Sequence, residues 1–257
     1  MNDATLTTWL ATLAMVMLRL GGAALLAPAA ATAAVPVKLR FALVAVISLA
    51  VVARAGEPAP LPDSLAALLA AAAGEVLIGG VIGLAAGALL AGVQLGAWHV
   101  SQQMGLTLGE VFNPAARHLG GGLQAMFALL TIVIFLATGA HRALLEAVLR
   151  TFETIPPASA ASTGMPLGMA VAVLASSFAL ALQVAAPVLA TMLLAAVAMG
   201  MLQKTLPQCN LLTTYLPVRV MLGVLVLAAS LGMLQPLLAR AAVELATRAG
   251  ELAGTVN

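Results

Sequence analysis

The sequence predicts an all-α, polytopic integral membrane protein, and three observations lead there. Of its 257 residues, 63% are hydrophobic and 8% charged, whereas an average soluble domain has roughly 25% charged residues. The mean hydropathy is +1.11. Apolar runs recur at about residues 9–35, 39–53, 65–100, 123–140, 167–202 and 216–239, most of them close to or beyond the roughly 20 residues a spanning helix needs. Within these runs apolar and polar residues do not alternate with a period of two, which excludes a β-barrel. Five to seven helical segments are expected, in one membrane domain over residues 1–257.

The first run, with Asp3 ahead of it and no Lys or Arg, lacks the basic start and short apolar core of a signal peptide and reads as a retained helix. Residues that stop helices separate the later runs: Gly56 to Asp63, Gly105 to Gly122, Ile155-Pro156-Pro157 to Pro166, and Leu206 to Asn210. Leu65 to Val100 would be on the order of 50 Å long as one helix, so it must tilt, project from the bilayer or break. Lys38 with Arg40, Arg54, Arg117, Arg142 with Arg150, and Lys204 fall on alternate sides in any simple topology, so loop charge leaves the orientation undecided.

Small residues recur inside the third run. Gly79, Gly83 and Gly87, continued by Ala91 and followed by Gly92 and Gly96, let another backbone approach closely, either within the chain or between subunits. Arg19 and Glu75 are ionisable groups inside apolar runs, and neither should face lipid. Two readings stand for them: a proton or substrate pathway, or an assembly contact or intrachain ion pair. Arg142, Glu146 and Arg150, with Glu153, and again Arg240, Glu244, Arg248 and Glu251, place opposite charges side by side on a helix face that is solvated, interfacial or a docking surface.

Chemistry is sparse. The thin net charge of +2, with no basic cluster, argues against nucleic acid. The single Cys209 and three scattered histidines offer no metal-ligand spacing, and no catalytic or cofactor-binding motif is present. Ser101 beside His99 lacks a third, orienting carboxylate. The sequence therefore predicts no enzyme, cofactor or metal. A self-contained small-molecule transporter, the main alternative, would normally show internal repeats and polar groups converging mid-membrane.

Four stretches then resemble the FliR family of flagellar biosynthesis proteins, called SctT in virulence secretion systems. They are Arg19-Leu20-Gly21 with Pro28 and Pro36-Val37-Lys38; Glu75, Gly79, Gly83 and Gly96 with Gln103-Met104-Gly105 and Asn113-Pro114; Thr138-Gly139-Ala140-His141 through Phe152 and Ile155-Pro156; and Pro187, Gly200-Met201-Leu202, Pro207-Gln208-Cys209-Asn210 and Leu216-Pro217-Val218-Arg219 with Gly223. Asn113, Tyr215 and Arg219 depart from the Asp, Gly and Lys common in the family, and Arg for Lys keeps the charge while changing its hydrogen-bonding geometry.

The resemblance implies a subunit of tilted helical hairpins in the bacterial inner membrane, within the basal body of a flagellum or injectisome. It implies assembly with several copies of P-type and Q-type export-gate subunits and association with a B-type switch protein, in a pore for unfolded secreted proteins. By position, the family's plug corresponds to Leu106–Gly122, with Val111, Phe112, Asn113, Pro114, Gly120, Gly121 and Gly122 as the gate, unless this is an ordinary interhelical loop. Arg19, Glu75, Gly79, Gly83, Gly87, Gly96, Pro207, Gln208, Asn210, Pro217 and Arg219 are expected to serve helix packing and assembly.

Overall fold

The computed structural model describes residues 3–26, 36–54, 57–60, 62, 64–107, 121–159, 167–205 and 211–254. Among them are seven α-helices and no strand: α1 (Asp3–Leu26), α2 (Val37–Arg54), α3 (Leu65–Met104), α4 (Gly121–Ala137), α5 (Ala140–Thr154), α6 (Leu167–Thr205) and α7 (Leu211–Gly254). The fold is the all-α, polytopic membrane protein expected. Four helices are long and apolar enough to cross a membrane, at Leu6–Leu26, Leu65–Met104, Ala170–Leu202 and Tyr215–Glu244, and the broken pair α4 and α5 would make a fifth span. Lys38, Arg40 and Arg54 keep the 18-residue α2 out of that set.

The long third run does not break. Its α3 is one helix of 40 residues, about 60 Å, so it either tilts or projects beyond a roughly 30 Å hydrocarbon layer. Ser64 opens it, its carbonyl accepting from Leu68 N at 3.0 Å and its hydroxyl from Ala67 N at 3.2 Å. Gly105 closes it at φ 77. Gly105 N donates to Gln102 O and Leu106 N to Ser101 O, both at 3.1 Å, the paired bonds of a Schellman stop, which needs a left-handed residue where only glycine is unstrained. A second left-handed glycine, Gly139 at φ 74, ends α4 and begins α5. The sequence run to residue 140 hid this break.

The chain forms two compact units. Unit 1 takes residues up to Ala88, Phe135–Leu174 and those from Ala242 on; unit 2 takes Leu89–Ile134 and Ala175–Ala241. In unit 1, α1 buries Thr12, Met15, Val16, Arg19 and Leu20, a helical spacing of three and four that defines one face. Against that face α3 brings its glycines. A Cβ on Gly79 would overlap the Arg19 carbonyl oxygen, one on Gly83 the Ala23 carbonyl and one on Gly87 the Leu26 carbonyl; on α1, a Cβ at Gly22 would lie 2.5 Å from Val76 O. The row lets two backbones touch within the chain. Gly80, one residue round the helix, would meet only Leu26 Cδ1 at 3.9 Å.

In unit 2, Gly92 and Gly96 do the same against α6, where Cβ atoms would lie 2.6 Å from Ser177 O and 2.7 Å from Ala181 O. Buried Leu180, Ala181, Val184, Val188 and Met192 line one face of α6. In α7, Gly223, Leu227, Ser230, Leu234 and Leu238 form a narrower stripe. The opposite faces carry exposed Leu182, Leu193, Leu194, Met221, Leu225 and Met233, an arrangement suited to hydrocarbon and not to water.

Overpacking a tight helix crossing typically costs about 1–3 kcal/mol. Gly79→Ala should therefore lower the thermal unfolding midpoint in detergent, read by circular dichroism, while Gly80→Ala leaves it unchanged; equal midpoints would contradict the crossing.

Candidate functional site

The most demanding cluster in unit 1 surrounds Arg19, whose side chain and that of Glu75 are both wholly buried. Its guanidinium meets the carboxylate by two bonds, Nε to Oε2 at 2.5 Å and Nη2 to Oε1 at 3.1 Å. The remaining arm reaches the end of α5: Nη1 donates to Thr151 O at 3.0 Å, Thr151 Oγ1 at 3.2 Å and Ile155 O at 3.0 Å. A cation suits this position, because the last carbonyls of a helix lack amide partners and carry partial negative charge. The Phe152 ring covers the guanidinium, 4.3 Å from the ring centroid to Cζ, adding a cation–π contact.

Glu75 is held as fully. Besides two bonds from Arg19 it accepts one from Ala158 N, at 3.0 Å on Oε1. Ala158 has φ 70, the left-handed region that favours glycine. Ser159 N closes the turn onto Pro156 O at 3.2 Å, giving Pro157 and Ala158 the positions that proline and a left-handed residue take in a type II turn. In that turn the Ala158 amide has no partner of its own. The carboxylate supplies one and offsets the strain of a non-glycine residue.

Other predicted positions separate into groups. Gly79, Gly83 and Gly87 pack on α1, and Gly96 packs on α6, as described. In unit 2, Arg219 Nη2 donates to Gln103 Oε1 at 2.8 Å, and its Cζ lies 5.6 Å from the centre of the Tyr215 ring. Among the described residues, Arg219 Nε and Tyr215 Oη are buried without a hydrogen-bond partner. Gly223 accommodates Met104, whose sulfur would lie 2.9 Å from an added Cβ. Pro217 lies inside α7, in its second turn. Gly121 and Gly122 open α4 with free space around them, so they belong to a helix and not to the loop expected there. Val111, Phe112, Asn113, Pro114, Gly120, Pro207, Gln208 and Asn210 lie outside the described residues.

The charged faces read from sequence are exposed ion pairs one turn apart: Arg150 with Glu146 at 2.7 Å and Arg248 with Glu244 at 2.6 Å. Ser101 is buried and donates to Ala97 O at 3.0 Å, an ordinary helix back-bond. Sequence reasoning missed the roles of Thr151, Ile155 and Ala158, which act through backbone atoms, Thr151 through its hydroxyl as well. The one local sign was the Pro156-Pro157 pair after an amphipathic helix, which marks a turn but not its partner.

Such a molecule, with long apolar helices joined through close backbone crossings and a buried charge clamp, is an all-α integral membrane protein. The chain belongs to the family described as bacterial export proteins, family 1, whose model matches residues 10–245. It is similar to the flagellar biosynthetic protein FliR of Caulobacter vibrioides, 27% identical over 220 residues that make up 85% of this chain and 87% of that protein. It is also similar to the flagellar biosynthetic protein FliR of Bacillus subtilis, 26% identical over 156 residues, 60% of each chain. The resemblance carried by the four sequence motifs is thereby borne out.

Removing one member of a buried ion pair leaves the other uncompensated, typically at about 3–5 kcal/mol. Arg19→Met and Glu75→Leu should each sharply lower the yield of folded protein and its thermal midpoint in detergent. The double variant should recover part of the loss; if the losses simply add, the two residues do not act as a pair.

Proposed function

We propose that this chain is a core subunit of the inner-membrane export gate of a type III secretion apparatus, flagellar or injectisome, forming with P-type and Q-type subunits the pore through which unfolded proteins leave. The family match over residues 10–245 carries this reading, and the two similar flagellar proteins support its assignment to protein export. On this reading the chain has no catalytic role of its own. A proton gradient and a separate ATPase drive transport, and a B-type switch protein associates with the gate.

A physical observation supports assembly with other subunits. Gln183 is exposed in the middle of the apolar α6, and Pro187, four residues on, cannot donate to the Gln183 carbonyl. Gln235 is likewise exposed in α7, beside Pro236. Polar groups with unmet hydrogen bonds are costly against hydrocarbon and are normally met by a neighbouring helix or by water in a channel. Both subunit contacts and a hydrated pore supply such partners, whereas a lone chain in lipid does not.

The segment before α4 is proposed as the plug of the closed channel, with Val111 and Phe112 sealing it by dewetting. Gly120 would free the backbone ahead of α4, and Gly121 and Gly122 would leave its first turn slender.

Affinity purification of the tagged chain from membranes, with P-type and Q-type subunits co-expressed, followed by native mass spectrometry, should yield one copy of this chain with several of each partner. A lone monomer or homodimer would overturn the proposal. In the same system, replacing both Val111 and Phe112 by Gly should leave assembly intact and make the membrane leaky to small solutes; normal assembly with unchanged permeability would rule out the plug.

A further inference from the structure

Two cavities in unit 1 are each bordered by α1, α2 and α5, the second also by Ile82 of α3 and Phe135 of α4. The first, of about 780 Å³, is bordered by Thr12 and Val16 of α1, Val52 and Arg54 of α2, and Arg150 and Glu153 of α5. The second, of about 250 Å³, is bordered by Leu20 and Ala24, Val44 and Ile47, and Leu145 and Val148 of the same three helices. From first to second the wall advances along α1 by about eight residues and retreats along α2 by about as many, roughly two helical turns. The first cavity has a charged mouth, and the second is a slot lined almost wholly by carbon, with His141 its one ionisable neighbour.

The mouth has a particular charge pattern. Arg54, Arg150, Glu146 and Glu153 all border it, which sums to zero. Arg150 and Glu146 bond to each other. Arg54 and Glu153 have no hydrogen-bond or ion-pair partner among the described residues, although they border the same cavity. A free cation and a free anion flanking one space suit a ligand that carries both charges. An anionic headgroup would satisfy Arg54 and be repelled by Glu153; a zwitterion with a small primary ammonium satisfies both.

We propose that the two cavities form one trough that binds a phospholipid of the phosphatidylethanolamine class. Its phosphate pairs with Arg54, its ammonium donates to Glu153, and one acyl chain enters the slot between Val44, Ile47, Leu145 and Val148. Basic pockets between membrane helices hold the phosphate of lipid headgroups, and Glu153 adds a partner for the ammonium. The bound lipid would join α2 to α5 and cover the side of Phe152, itself a wall of the mouth, that screens the buried Arg19. This inference requires only that the chain lie in a membrane, and it stands apart from the proposed pore.

The test uses the full chain, co-expressed with its proposed partners and reconstituted into nanodiscs containing either phosphatidylethanolamine or phosphatidylglycerol. Lipid retained after release into mild detergent is counted by native mass spectrometry. Phosphatidylethanolamine should be retained in preference to phosphatidylglycerol. Arg54→Glu should reduce retention by about fivefold or more, the loss expected for one cation–phosphate contact. Glu153→Gln, a mild surface change, should abolish the preference between the two lipids, and Ile47→Trp should block the slot, while Arg248→Glu on α7 leaves retention unchanged. Equal retention of both lipids by the unaltered chain would overturn the proposal, as would a photo-crosslinker at position 47 that labels a partner subunit and no lipid. Recovery of the subunit complex is scored separately, so failure here leaves the export reading untouched.

Discussion

The bond between Arg19 and Glu75 imposes conditions on everything around it. A guanidinium and a carboxylate removed from water are stable only when their remaining hydrogen-bonding capacity is met. Here that requires α1, α3, the last turn of α5 and the following turn to be in place together. The same residues also set the backbone distance. The Arg19 side chain bonds Glu75, while its own carbonyl lies against Gly79, one helical turn further along α3. Charge pairing and close packing are thus two readings of a single crossing, and neither is attainable without the other: a larger residue at 79 would push the arginine off its carboxylate.

Unit 2 solves its packing with less charge. Gly92 and Gly96 bring α6 close, and Gly223 leaves room for Met104, a flexible side chain able to fill an irregular gap. Arg219 reaches Gln103 at the accessible end of this arrangement and lies near Tyr215. Positions 215 and 219 are two of those at which the motif resemblance is imperfect, and the structure brings them side by side. An aromatic ring beside a delocalised guanidinium is a pairing that Lys and Gly would not reproduce.

Much of the fold was legible in the residues because a bilayer leaves few options. Continuous apolar length without period-two alternation could only mean helices, and Gly105 and Pro156-Pro157 marked real ends. The sequence offered an intrachain ion pair as one reading of the intramembrane charges and marked the glycine row as a packing face, but it did not show that α1 meets both at one crossing. Their meeting depends on the rotation of α1 against α3, which neither segment encodes alone. The break at Gly139 was hidden because apolar residues continue on both sides and hydropathy does not register a single left-handed torsion. Pro187, Pro217 and Pro236 fall within the apolar runs expected to be helical and do remain inside helices, since membrane helices tolerate a missing amide that aqueous ones rarely do.

The buried stripe of α7 has a further consequence. Gly223, Leu227, Ser230, Leu234 and Leu238 are separated by four, three, four and four residues, a single file with nothing buried beside it to share the load. Adding or deleting one residue within it would turn all that follows by about 100°, presenting bulky exposed side chains to the packed face. Replacement of the outward side chains leaves the seam intact, whereas a change of length does not. The length of this helix between Gly223 and Leu238 is therefore a tighter constraint on its packing than the identity of its outward side chains.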